Sequence, residues 1–326
     1  MQLPSGKQRN HIMEERTVTV IIPTYKPDEK FRELMKRLAK QTVRPEQILV
    51  INTEEACFHP EDTAGMSNVS VIHIKKDEFD HGGTRDMAAR LADTDLLVFM
   101  TMDAVPADGY LLENLIRPFL HPKVAASYAR QLPGKDGSIL EAYTRSFNYG
   151  PESCIKTKAD LGRLGIKTFF CSNVCAAYRR STYLELGGFE KHTIFNEDMI
   201  FAGKLIQDGK AVAYCADARV YHSHNYTGIQ QLKRNFDLGV SQADHPEIFE
   251  MAKSETEGIR MVKQTAARLA GTGRLLLLWR FIWQSFCKWF GYRLGKSYRK
   301  LPRRVILRCT MNPAYWRQKL PECSRK

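Results

Sequence analysis

The sequence is poor in several features that would decide its class at once. Within residues 274–300 the longest unbroken apolar run is 275–279, far short of the roughly 20 residues a membrane-crossing helix needs. The first twenty residues lack the apolar core of a signal peptide. The eight cysteines (Cys57, Cys154, Cys171, Cys175, Cys215, Cys287, Cys309 and Cys323) are scattered and form no C-x-x-C pair. A disulfide framework is therefore not expected, and the thiols read as reduced and cytosolic. Cys171 and Cys175 in "CSNVC" have no second Cys/His pair at zinc-finger spacing, which argues against structural zinc. There is no internal repeat and no low-complexity linker. Acidic residues are scarce at one end only. Residues 251–326 hold 18 Lys/Arg against 3 Asp/Glu, whereas residues 1–250 hold 31 against 33. A nearly neutral body thus carries a strongly basic tail, which seeks an anionic surface, nucleic acid or acidic lipid.

What is present fits a globular protein. The 326 residues suffice for one large domain with an appendage or two modest domains, and 43% apolar content can fill a sizeable core. "VTVIIPTY" at 18–25, "QILVIN" at 47–52, "VSVIHIKK" at 69–76 and "LLVFMTMD" at 96–103 read as strands. Between them lie "EKFRELMKRLAKQ", with Phe31, Leu34, Met35 and Leu38 at helical spacing, and "GTRDMAARLAD", opened by Gly82-Gly83. This alternation predicts a βαβ sheet with helices on both faces. Ligands of such sheets bind at the carboxyl ends of the strands. In the second half, "IFNEDMIFAGKL" begins a helix for which Asn196 is the expected cap, with Glu197 and Asp198 in its electropositive first turn.

Several residues at those strand ends carry chemistry. Asp103, closing an apolar strand, can hold a divalent cation against a diphosphate. "EFDHGGTRD" brings His81, Gly82 and Arg85 to a strand end, where glycine lets backbone approach a phosphate and Arg85 supplies a positive fork. His222 and His224 in "YHSHNY" lie on one face of an extended segment and suit a metal site; spacing does not choose between them.

Taken together, "PTY", "HGGTR", "MDA", "GGF", "NEDM" and "HSHNY" resemble the family 2 glycosyltransferases, from about residue 18 to about 238. Within them the bacterial rhamnosyltransferase branch is the most similar. The resemblance implies a GT-A fold, a Rossmann-like mixed sheet flanked by helices. It implies a nucleotide-sugar site built from Pro23, Thr24, Tyr25, Asn52, His81, Gly82, Arg85, Asp103 and Asn173. It also implies Mn²⁺ or Mg²⁺ at Asp103, completed by His222 or His224. Asn52 stands where the family usually has Asp, Asp86 where it usually has Asn, and the Asp-x-Asp metal motif keeps one carboxylate, Asp103. Asp198 becomes the expected base for an inverting transfer, with Glu197 orienting the acceptor or binding a neighbouring basic group.

The expected reaction moves a sugar, L-rhamnose from dTDP-rhamnose on the strength of the resemblance, to a saccharide or lipid-linked saccharide acceptor in cell-surface polysaccharide synthesis. A family 2 transferase using another UDP, GDP or dTDP hexose is the alternative. A sugar-phosphate nucleotidyltransferase would need a glycine-rich basic loop after the first strand, and "PTYKPDEK" has no glycine. A non-catalytic membrane- or nucleic-acid-binding protein is the other contrast. In the tail, Arg280, Gln284 and Lys288 make a polar stripe on a helix otherwise rich in Leu, Ile, Phe and Trp. Such a helix suits a lipid interface, with Trp279, Trp283 and Trp289 at headgroup depth and Arg293 to Arg308 over anionic lipid. No nucleic-acid partner is expected. The expected organisation is an N-terminal extension (1–16), a GT-A domain (17–245) and a basic, helical, membrane-associating region (246–326), placing the enzyme peripherally on the cytoplasmic face of the membrane.

Overall fold

The computed structural model describes residues 16–251, 255–271 and 273–319; nearly all of the expected N-terminal extension and Cys323 fall outside them. The strands are β1 Val18–Tyr25, β2 Gln47–Thr53, β3 Val69–Ile74, β4 Leu96–Met100, β5 Val105–Pro106, β6 Val124–Leu132, β7 Cys154–Lys156, β8 Cys175–Arg179 and β9 Ala211–Tyr221. Leaving aside single turns, the helices are α1 Glu29–Leu38, α2 His81–Leu91, α3 Leu111–Ile116, α4 Ile139–Asn148, α5 Arg180–Glu185, α6 Glu197–Gln207, α7 Gly228–Asp244, α8 Glu255–Gly271, α9 Leu275–Lys296, α10 Arg303–Cys309 and α11 Pro313–Lys319.

One sheet runs β3-β2-β1-β4-β8-β6-β9-β5, with β7 on β9. β3, β2, β1 and β4 are parallel, and β8 is antiparallel to both β4 and β6. Both faces are covered. Val18, Val20 and Ile22 of β1 join Phe31, Leu34, Met35 and Leu38 of α1 on one side. Ile21 joins Phe99, Tyr178, Tyr183, Phe189 and Phe201 on the other. This is the two-sided burial that continuous apolar strands require. α1 starts where Asp28 accepts from the Lys30 and Phe31 amides, a cap worth about 1 kcal/mol. Gly188 has φ +74°, and a Cβ there would strike the Asp86 carboxylate and the Tyr183 ring. Asp86 itself is buried and pairs with Arg90 at 2.9 Å.

Some expected boundaries move. β3 stops at Ile74 and β4 at Met100, so the polar ends 75–76 and 101–103 belong to loops. α2 starts one residue before the glycine pair, capped by Asp80, whose Oδ1 accepts from the Gly83 amide. Asn196 does not cap α6: it is left-handed at φ 66°, and its amide donates to Ser241 Oγ at 3.4 Å. The seven described cysteines are free.

The C-terminal helices fold back onto the sheet domain. α9 lies along α7 at close range. A Cβ on Gly239, Gly291 or Gly295 would come within 2.1–2.4 Å of backbone oxygen on the facing helix. α10 and α11 then pack through Ile306 and the fully buried Trp316 against Phe236 of α7, Ile194 and Tyr298. None of the described helices is long and apolar enough to cross a membrane.

Candidate active site

The parallel strands deliver their carboxyl ends to one rim. There a cavity of about 450 Å³ is lined by Pro23, Thr24, Tyr25, Thr53 and Lys76 from the strand ends and by His81 and Arg85 from α2. The opposite wall includes Phe195, Arg234, Asn312, Tyr315 and Gln318. Thr24 donates to Asn52 Oδ1 at 3.2 Å, and the Asn52 amide is spent on the Glu54 carbonyl and His73. Asn52 is therefore buried behind the wall, and Thr53 faces the cavity in its place. Gly82 serves packing: a Cβ there would collide with the Glu190 carbonyl. That contact, rather than a phosphate, accounts for the glycine.

Beside the cavity stands a second group. β5 pairs with the end of β9, Val105 opposite Tyr221 and Pro106 opposite Val220. This hairpin-like pairing carries Asp103 to the His222–His224 segment. The Nε2 atoms of both histidines lie 3.5 Å from Asp103 Oδ2, and the three ligand atoms fit within 4.8 Å. Burial, above all, pushes His222 down to about 3, against the pull of Asp103; burial lowers His224 as well. Both are thus neutral imidazoles at physiological pH. Gln131 Oε1 lies 3.2 Å and Arg145 Nη2 3.1 Å from His222 Nδ1, and these two side chains orient the ring with Nε2 toward Asp103. One carboxylate and two imidazoles make a mixed oxygen–nitrogen donor set that fits Mn²⁺ better than Mg²⁺. Spacing left the choice of histidine open; the fold brings both.

The third group is acidic. Thr101 of the β4 loop donates to the Val174 carbonyl at 3.1 Å, and Met100 pairs with Cys175. Asp103 and Asn173 therefore follow and precede neighbouring antiparallel strands at the same edge of the sheet. The Asn173 amide N–H donates to Asp198 Oδ2 at 2.9 Å, and its side chain donates to Glu197 at 3.2 Å. Tyr178 O–H in turn fixes Asn173 Oδ1 at 2.9 Å. Arg85 Nη1 lies 3.4 Å from Glu197 Oε1, both side chains being buried. Burial would raise Glu197, but Arg85, His81 and Asn173 more than offset it and hold it below the usual range. Among the described residues Asp198 has no such cation in contact; burial, then the Glu197 charge, push it up to about 7. One carboxylate is a fixed anion and the other a proton acceptor near neutral pH, the division of labour that unlike environments impose on paired acids.

Asp103, Asn173, Glu197 and Asp198 do not line the 450 Å³ cavity itself. The Arg85–Glu197 pair and Arg234 connect them to it. Arg234, which sequence reading missed, sits over the rings of Phe195 (4.6 Å) and Tyr226 (5.6 Å), and Tyr226 stacks on His224. Among the described residues it forms no ion pair. Also unforeseen were Gln131, Arg145, Asp237 and the wall 311–318. The only signal was Asp237 itself, a carboxylate inside the apolar run of α7.

The model of glycosyl transferase family 2 matches residues 19–187. The chain is 40% identical over 301 residues to the O-antigen chain rhamnosyltransferase RfbN of Salmonella typhimurium, covering 92% of this chain and 96% of the relative. It is 40% identical to WbaN of Salmonella anatum, covering 91% and 95%. Among solved structures it is similar to a Pyrobaculum calidifontis mannosyltransferase in complex with GDP-mannose and Mn²⁺ (TM-score 0.57, 16% identity, 87% of this chain and 86% of that one). It is also similar to S. aureus TarS 1–349 in complex with UDP-GlcNAc (TM-score 0.51, 16% identity, 87% and 92%). At such identity these two speak for the shared architecture alone, the GT-A arrangement.

Proposed function

The chain belongs to glycosyl transferase family 2, and from that premise we propose that it is an inverting rhamnosyltransferase of polysaccharide synthesis, drawing L-rhamnose from a dTDP-linked donor. The sugar is carried over from the two Salmonella relatives. The observation that supports the chemistry best is that Asp103 and Asn173 follow and precede paired strands at one end of the sheet, which favours a cation-type site and a proton acceptor on a common rim.

In this reading the donor lies in the 450 Å³ cavity with its diphosphate toward Arg234 and Asp103. Asp198 takes the proton of an acceptor hydroxyl while that oxygen bonds to the anomeric carbon. The bond from that carbon to the diphosphate breaks, its electron pair leaves on the phosphate oxygen, and configuration inverts. Glu197 stays ionised, holds Arg85 and, through Asn173, keeps the Asp198 carboxylate in place. Asp103, His222 and His224 would hold a divalent cation, which neutralises diphosphate charge when bound. The test is a screen of nucleotide sugars by release of nucleoside diphosphate, with dTDP-rhamnose preferred. Preference for a UDP- or GDP-hexose would overturn the donor; no turnover of any nucleotide sugar would overturn the reaction.

The acceptor is proposed to be lipid-linked and the enzyme peripheral to an anionic bilayer on its cytoplasmic face. α9 supports this by its orientation. Gln284 and Lys288 of its polar stripe are half-buried, Gln284 donating to the Tyr226 carbonyl at 3.1 Å, while Arg280 stays exposed. Leu276, Trp279, Trp283 and Trp289 turn outward at 87, 71, 53 and 59% exposure. Exposed aromatic and aliphatic surface flanked by unbalanced basic charge is the composition of an interfacial helix.

A further inference from the structure

The 450 Å³ cavity is only half built by the sheet. Its other side comes from 311–318, a segment more than two hundred residues away in sequence. The segment is tied down at both ends and bolted in the middle. Thr310 Oγ1 donates to Asp237 Oδ1 at 2.6 Å and the Met311 amide donates to Oδ2 at 2.9 Å. Gln318 donates to the Asp77 carbonyl at 3.2 Å, just past β3 and next to Lys76. Trp316, wholly buried, meets the Tyr298 ring at 5.3 Å and Phe236 at 6.4 Å. Asp237, sunk in α7, thus has a structural task that explains a buried carboxylate there.

The sheet order places this wall relative to the donor. Strands run β3-β2-β1-β4, with Asp103 beyond β4 and the Gln318 tie beyond β3. A diphosphate drawn toward Arg234, and toward the cation that Asp103 would hold, leaves the other end of a nucleotide sugar, its base, toward β2 and β3. Asn312 and Tyr315 line the same cavity as Tyr25 and Thr53 at the ends of β1 and β2. Asn312 is half committed: its Oδ1 accepts from the Tyr315 amide at 3.2 Å. Among the described residues its Nδ2 makes no hydrogen bond. A donor without a partner at a cavity wall suits an acceptor on the ligand, and an aromatic side chain suits the flat face of a base.

We propose, resting on the nucleotide-sugar reading above, that the C-terminal segment 310–318 is the base-recognition wall of this enzyme, Asn312 donating to a nucleobase carbonyl and Tyr315 packing on the ring. The C-terminal region is then part of the donor site as well as the lipid-facing part of the molecule.

The experiment measures binding of dTDP, UDP and inorganic pyrophosphate by calorimetry, and KM for donor and acceptor, in the full chain and in Asn312→Ser and Tyr315→Leu. Serine keeps an oxygen for the Tyr315 amide and removes Nδ2. The expected result is three- to tenfold weaker nucleoside diphosphate binding and a matching rise in donor KM, about what one hydrogen bond contributes. Pyrophosphate affinity, acceptor KM and vesicle binding stay unchanged, as does the melting temperature of Asn312→Ser; Tyr315→Leu melts lower because Lys319 and Trp316 lose a partner. Wild type that binds dTDP or UDP while both folded variants bind them equally well overturns the base-recognition wall and leaves the transferase reading standing. Equal losses for pyrophosphate and nucleotides also overturn it, because the wall would then act on the diphosphate. Wild type that binds neither nucleotide overturns the nucleotide-sugar reading itself.

Discussion

Arg85 Nη1 stands 3.4 Å from Glu197 Oε1 and forms no such contact with Asp198. Arg85 holds Glu197 ionised, while burial and the Glu197 charge raise Asp198, and the two adjacent carboxylates divide into an anion and a base. Asp198, pushed up to about 7, must lose its proton to accept one. We expect kcat/KM to rise with pH up to about 7 and then level. Asp198→Asn should lower kcat by about 10²–10⁴ with donor affinity kept. A flat acid limb, or turnover surviving in the variant, would remove Asp198 from the role of base.

Glu197→Gln makes a different prediction. It strips the partner from a buried guanidinium, which costs about 3–5 kcal/mol, so the melting temperature should drop sharply. In the same variant the charge that raises Asp198 is gone, and the acid limb should move to lower pH. Calorimetry and a pH–rate profile read the two effects separately.

Chelation should suppress turnover, and Mn²⁺ should restore it better than Mg²⁺. Asp103→Asn should abolish Mn²⁺ binding followed by electron paramagnetic resonance. Gln131→Met touches no ligand atom but removes an oxygen that helps to orient the His222 ring, and should weaken Mn²⁺ by about 10- to 100-fold. Full activity in chelator would dispose of the cation.

Arg234→Ala should raise donor KM and weaken pyrophosphate and nucleotide binding alike, since a charge rather than a base contact is lost. Lysine at this position should recover only part of the loss, lacking the planar group that lies over Phe195 and Tyr226. Unchanged pyrophosphate affinity would argue that the arginine serves only to hold the two rings.

The double variant Trp279→Ser, Trp283→Ser should release the protein from anionic vesicles in sedimentation. It should leave transfer to a water-soluble acceptor near wild type. Retention on vesicles would mean that the outward face of α9 is covered by something other than lipid.

Local pattern revealed what depends on neighbours in sequence. The apolar run of β1 and the four apolar positions of α1 needed no partner to be read, and the polar stripe of α9 was visible as a period of four. That Gln284 and Lys288 turn toward protein depends on glycines in α7 and α9 meeting across the helix pair. Asn196 looks like a cap from composition, yet Ser241, forty-five residues on, claims its amide. The Asp103, His222 and His224 trio was suggested by residue type, but its assembly rests on the β5–β9 register. Least legible was the wall at 311–318. The Gln318–Asp77 bond spans 241 residues, and no periodicity in either segment announces it.

The backbone contact between α7 and α9 has a mechanical meaning. Where two helices touch through glycine, little side-chain play remains to absorb tilt or sliding. With α9 resting on lipid as proposed, the reaction centre would ride at a set height above the headgroups, like a tool on a rigid arm. Acceptors would then be selected by how far their reactive hydroxyl stands from the bilayer, a ruler read in sugar units.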